Sequence, residues 1–287
     1  MRFIILLIGS VLAALFILQM MRGKQYQSWV ENLDGNEFPL CELYTVGFAW
    51  STTPIFAFKG KRAVELKTQA GMLYEPVYAD YYAMVAWAQT ITLGHLFLAA
   101  TFLLAGAMYE MAALLLLAGC FMSVVIVMYG LDNMKNKLSA RTTECEAQLP
   151  EVVSTMAILV NSGMMLREAW AMISENSQGA FYSLMRQATI NMQNGFSDAD
   201  AIFLFGTNSN STEIKKFTSA LLQSMEKGGA ELGVFLANQS SELWSKKRQI
   251  MLQNGEKAAT KLLAPIVLIF VGVIIIVMAA AFGGSLF

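Results

Sequence analysis

Residues 225–239 read MEKGGAELGVFLANQ, and Gly228 and Gly233 stand at the G-x-x-x-x-G spacing of a phosphate-cradling loop. Such a loop needs a strand before it, Lys then Ser/Thr after its second glycine, and a helix N-terminus to face the phosphates. Here Ile214, Phe217, Leu221 and Met225 mark a helical stripe ahead of the glycines, and Val234-Phe235 fills the Lys-Ser/Thr places. No positive side chain is available at that position to meet a phosphate. The stretch is read as a helix-to-helix turn, which predicts an all-α domain rather than a nucleotide-binding α/β one.

The same periodicity runs outward through Leu131–Leu262. After Pro150, residues Val152, Val153, Met156, Leu159 and Val160 form one apolar stripe, stopped at Asn161-Ser162-Gly163. Leu166, Ala169, Trp170 and Ile173 mark a second helix, and Glu175–Gly179 a polar turn. Phe181, Leu184, Met185, Ala188 and Met192 mark a third, stopped at Gly195. Ser197 with Asp200 resembles a capping box for a short fourth helix through Ile202 and Phe203, and Thr207–Ser211 reads as a loop. The fifth helix carries the stripe already named. Leu232, Phe235, Leu236, Gln239 and Leu243 begin a sixth, which runs through Lys246-Lys247-Arg248. The segment is expected to be a compact six-helix bundle. Gly163, Gly195, Gly228, Gly229 and Gly233 are its expected structural turns.

Composition places this bundle beside a membrane. Hydrophobic residues make up 56% of the 287-residue chain and charged residues only 14%, well below the charged share of a soluble domain. Four stretches approach the roughly 20 apolar residues that cross a bilayer: Phe3–Met21, Thr90–Met108, Met111–Tyr129 and Leu263–Phe282. The first is long for a signal peptide, and its basic residues Arg22 and Lys24 follow the apolar run, so an uncleaved anchor is expected. Of twenty Lys and Arg residues, six lie between Arg22 and Lys67 and thirteen between Lys135 and Lys261; Arg2 alone lies elsewhere. The positive-inside rule then puts both long segments in the cytosol.

The expected division is a first span in 1–21, a cytosolic helical segment in 22–89 and a span in 90–108. An outer turn at 109–110 and a span in 111–130 follow, then the bundle in 131–262, a span in 263–282 and an outer tail in 283–287. Both termini face outward. Leu40–Phe58 looks apolar, but Pro54 interrupts it, and it is not counted as a span. Tyr74, Tyr78, Tyr81, Tyr82 and Trp87 suit an interfacial anchor.

Chemistry is sparse. Asp198 and Asp200, like Glu144 and Glu146, are two apart and point to different helix faces. His95, the one histidine, sits in the second span, where it bonds across a helix interface or lies near the inner headgroups. The small residues Gly94, Ala99, Ala100, Gly106 and Ala107 would let spans approach closely. Cys41, Cys120 and Cys145 are widely spaced and read as inert thiols. No catalytic set, metal site or cofactor is expected, and the net charge of −1 gives no ground for a nucleic-acid partner. Lys246, Lys247 and Arg248 are candidate contacts, either for anionic lipid or for an acidic partner surface.

The Leu149–Phe282 stretch resembles the F-domain family of type II secretion and type IV pilus machines, in its tight-adherence (TadC-like) branch. The resemblance rests on Leu149-Pro150-Glu151, which opens the first helix in that family pattern, the run Asn161–Ala169, the run Asn194–Ala199, the run Gly228–Leu236, Lys246-Lys247-Arg248 and the entry Lys261–Pro265. Tyr74–Tyr82 is also similar to that branch. The resemblance implies a non-enzymatic platform in the cytoplasmic membrane of a prokaryote. Its implied partners are a cytosolic assembly ATPase, pilin subunits and a second related platform protein, in a homo- or hetero-oligomer. Relatives usually carry two helical domains, and Arg22–Gln89 is too short for a second copy. The competing readings are a membrane transporter or enzyme, for which His95 and Glu110 would matter, and a signalling receptor.

Overall fold

The computed structural model describes residues 2–74 and 76–283. Met1, Glu75 of the Tyr74–Tyr82 stretch, and 284–287 of the expected outer tail lie outside the described residues. The chain is helical, with no strand among the described residues, and four of its helices are long and apolar enough to cross a membrane. It divides into two compact units, Met1–Thr142 and Thr143–Phe287.

The first unit is built on three long helices. α1 (Arg2–Arg22) is followed by a 3-10 turn at Gly23–Tyr26, the short α2 (Gln27–Val30), a second 3-10 turn at Cys41–Tyr44 and α3 (Thr45–Ser51). α4 (Lys61–Leu73), α5 (Ala79–Ala107) and α6 (Ala112–Asn161) come next, and a 3-10 turn at Tyr109–Met111 parts the last two. α1 and α5 run antiparallel. Leu6 abuts Gly106, Gly9 abuts the backbone of Leu103, and the Phe16 ring meets His95 edge-on at 5.4 Å.

α3 lies alongside both. A Cβ on Gly47 would stand 2.1 Å from the Ala88 carbonyl oxygen, so only glycine permits this approach. The Gly47 amide donates to Thr92 Oγ1 at 2.9 Å. Below α3, Val30, Phe38, Tyr44, Phe48, Val85 and Ala88 form one small core, and Leu66, Ala70, Ala83, Ala86 and Met134 form another. The expected anchor aromatics pack onto this body. Tyr74 stacks on Tyr82 with centroids 3.7 Å apart, Tyr81 donates to the Trp29 carbonyl, and Trp87 donates to the Phe56 carbonyl at 2.9 Å.

The second unit contains the carboxyl-terminal part of α6, then α7 (Leu166–Glu175), α8 (Ala180–Gln193), α9 (Asp198–Asn208), α10 (Thr212–Lys227) and α11 (Gly229–Gly283). All six contribute to one core, among them Val153, Trp170, Met185, Phe205, Leu221 and Leu236. Phe205 holds two edge-on ring contacts there, to Trp170 at 5.0 Å and to Phe181 at 5.1 Å. The turns fall at Gly163, Gly179, Gly195 and Gly228, each at positive φ where a side chain would be strained.

Pro150 does not open a helix; it lies inside α6. An interior proline costs about 3 kcal/mol. Leu149, Val152 and Val153 around it are fully buried, each worth about 1.5–3 kcal/mol, which outweighs that cost. The expected loop at Thr207–Ser211 is also shorter. α9 continues to Asn208, and Asn210 takes a left-handed conformation before Ser211 caps α10.

Candidate functional site

The carboxylates singled out in the sequence serve helix ends. Glu144 Oε1 accepts from the Ala180 amide at 2.9 Å, and Gln148 Oε1 from the Phe181 amide at 3.2 Å, so α6 side chains cap α8. Glu146 accepts from Ser211 Oγ at 2.6 Å, and that same hydroxyl accepts from the Ile214 amide at 3.2 Å. Ser197 Oγ accepts from the Asp200 amide at 3.0 Å, and Asp198 pairs with Arg167 at 3.5 Å. Arg186 Nη1 donates to the carbonyls of Ser174 and Ser177 at the end of α7. These polar groups close the bundle rather than converge on a pocket. Glu110 is exposed in its turn.

The glycine-rich stretch separates into two roles. Gly228 makes the turn at φ 110°, whereas Gly229 begins α11 and Gly233 lies within its second turn. A Cβ at Gly233 would stand 2.3 Å from Asn161 Oδ1, and Asn161 Nδ2 donates to the Gly233 carbonyl at 3.5 Å. Gly233 is therefore a close-approach residue between α6 and α11, not part of the turn. Farther along, Ser154 and Ser240 hydroxyls meet at 2.7 Å and Trp244 Nε1 donates to Ser154 Oγ at 2.7 Å.

The basic run is divided in the same way. Lys246 pairs with Glu213 at 2.7 Å, and that ammonium, hydrogen-bonded to the carboxyl, holds Glu213 below the usual carboxylate range. Lys247 donates to the Ala147 carbonyl at 3.0 Å and lies 4.9 Å above the Trp244 ring. Arg248 is exposed. From Arg248 to Leu263, α11 is exposed on every side.

In the first unit, Trp50 Nε1 donates to His95 Nδ1 at 3.1 Å, and His95 Nε2 lies 3.1 Å from the Leu12 carbonyl. An accepting Nδ1 leaves the proton on Nε2, which then donates to Leu12. The histidine thus bonds across a helix interface, as one of the two readings of the sequence had it. Its partner Trp50 carries no signal in local periodicity. Of the small residues, Ala99 is buried, Gly94 faces Val127 and Gly106 faces Leu6, but Ala100 and Ala107 are exposed. Glu37 forms a second junction. It accepts from Lys137 at 2.9 Å and from Tyr74, while Lys137 sits 4.9 Å above Phe38. Burial, with Glu37 adding to it, pushes the Tyr74 hydroxyl well above the usual tyrosine range. None of the three cysteines is in a disulfide, and Cys145 is fully buried in the bundle core.

The last helix of a six-helix bundle with a close α6–α11 seam thus runs on beyond the bundle and becomes apolar. Residues 152–283 match the family model described as type II secretion system (T2SS), protein F. The protein F match covers a little under half of the chain, beginning in α6 and ending with α11. It coincides with the region whose motifs carry the resemblance. No curated protein and no solved structure matches the chain.

Proposed function

We propose that this protein is a non-enzymatic platform in the cytoplasmic membrane of a prokaryote, part of a tight-adherence pilus or related type II secretion machine. It couples a cytosolic assembly ATPase to the lifting of pilin subunits out of the bilayer. The protein F match over 152–283 is the observation that carries this reading. Four helices suited to crossing a membrane support it, as does a bundle whose carboxylates cap helices instead of sharing a substrate. A second related platform protein completes the machine, because the 22–89 segment is too short for another six-helix domain.

The division of labour follows from α11. It is seated in the bundle core through Leu232 and Leu236 and continues as one helix to Gly283. A continuous helix transmits displacement along its axis, so a push on the bundle reaches the apolar part of α11 without a slack linker. Arg248, exposed beyond the two lysines that the bundle itself engages, is the member of that basic run left to meet an acidic surface.

Site-specific photocrosslinking from position 248 in cells tests the assignment. A secretion-type ATPase, or pilin, in the adduct supports the platform. Adducts containing neither, or only a signalling protein, would overturn it.

A further inference from the structure

Two cavities in the first unit share one wall. The larger, about 520 Å³, is apolar and is lined by Leu15, Trp50, Phe56, Trp87, Leu98 and Val127 among others. The polar groups on its lining are already engaged: Trp50 with His95, His95 with Leu12, Thr90 with the Ala86 carbonyl, and Ser123 with the Gly94 carbonyl. A ligand there gains contact with hydrocarbon and little else. The smaller cavity, about 330 Å³, is lined by Arg62, Glu65 and Gln69 of α4 and by Asp132 and Lys135 of α6. Leu131 lines both.

The α6 contribution has a regular register. Ser123, Val127 and Leu131 line the apolar cavity, and Leu131 and Lys135 line the polar one. Steps of four residues put all of them on one helix face. From Ser123 to Lys135 that face rises by roughly 18 Å. One leaflet's share of the hydrocarbon core is about 15 Å. The face therefore has the length of one acyl chain with a headgroup at its end. The end with the headgroup lies on the side rich in Lys and Arg.

We infer that this composite groove binds one phospholipid whose headgroup carries both a phosphate and a cationic amine. Two bases, Arg62 and Lys135, offer donors to the phosphate, and two acids, Glu65 and Asp132, offer acceptors to the amine. Arg62 and Glu65 stand 3.6 Å apart, so both signs are presented side by side. An anionic headgroup without the amine would leave the acids facing like charge. One acyl chain fills the apolar cavity alongside Trp50 and Trp87, and the other stays among the surrounding lipid. The inference requires α1, α5 and α6 to lie in the bilayer and is independent of what the second unit does.

The test uses the full chain, reconstituted in vesicles of equal phosphatidylethanolamine and phosphatidylglycerol, re-extracted in mild detergent and weighed intact by native mass spectrometry. The wild-type chain is expected to keep one phosphatidylethanolamine. Lys135→Glu, at an exposed position, is expected to lose it. Val127→Phe, which fills the apolar cavity, is expected to lose it as well. Preferential retention of phosphatidylglycerol, retention of neither lipid, or phosphatidylethanolamine retained undiminished in Lys135→Glu would overturn the inference.

Discussion

Two glycines about six turns apart on α11 carry different predictions. Gly233 meets the exposed side-chain amide of Asn161 at a distance no Cβ can occupy, so Gly233→Ala is expected to swing that amide aside and lose its bond to the Gly233 carbonyl, a cost of about 0.5–1.5 kcal/mol that offsets the gain in helix propensity. Gly255 has nothing within 4 Å of where a Cβ would stand, so Gly255→Ala is expected to stabilise α11 by roughly 0.5–1 kcal/mol. Thermal unfolding of the full chain in nanodiscs compares the two, and a Gly233→Ala variant stabilised as much as Gly255→Ala would remove the close-approach argument. The Lys246–Glu213 pair sets a pH dependence of known sign. Glu213 is held below its ordinary range, so the pair contributes fully above the unfolded carboxyl pKa, and that contribution is lost as pH falls through the depressed value. The two side chains are 48% and 39% exposed, and solvent screening limits the effect to about 0.2–1 kcal/mol. Glu213→Gln is expected to flatten this part of the acid-side stability profile; an unchanged profile would show that the pair contributes nothing.

At the level of elements, the helices that alternate regularly between apolar and polar faces were legible in the sequence, and the close contacts were not. Stripes such as Phe181–Met192 repeat every three or four residues, so α7, α8 and α10 followed from periodicity, with stops at Gly163, Gly195 and Gly228. The family pattern puts a helix opening at Pro150, but core burial of Leu149 and Val153 carries α6 straight through it. Gly233 was grouped with the turn because its constraint comes from Asn161, far away in sequence. The least legible element is α3, seven residues long, with Pro54 close behind it. Its place was invisible because Thr92, His95 and Ala88, which hold it, lie more than 40 residues onward. α3 reaches the level of Phe16, roughly 9 Å of helix inside Arg22. Cysteines placed at Thr53 and Ile55 are therefore expected to resist a charged thiol reagent in intact vesicles, while one at Lys59 reacts. Equal labelling at all three positions would return the 40–58 stretch to water, where the sequence reading had put it.

For the molecule as a whole, the apolar fraction and the charge distribution called for a membrane body, and the order of short motifs from Leu149 to Phe282 anticipated the match to protein F. What the sequence could not convey was the seam that ties α6 to α11, made by Gly233, by Asn161 and by the Ser154–Ser240–Trp244 contacts. That seam fixes the base of a helix that then stands exposed from Arg248 to Leu263 before its apolar stretch. If the bundle works by displacing this helix, continuity at Gly255 is the requirement. The most direct measurement is filament assembly in cells whose only copy carries a short Gly-Ser insertion after Gly255, with Gly255→Ala as the control. The account predicts that the insertion abolishes filaments while the protein still enters the membrane in normal amount, and that Gly255→Ala assembles them normally. Filaments assembled at the wild-type level through the inserted linker would contradict it.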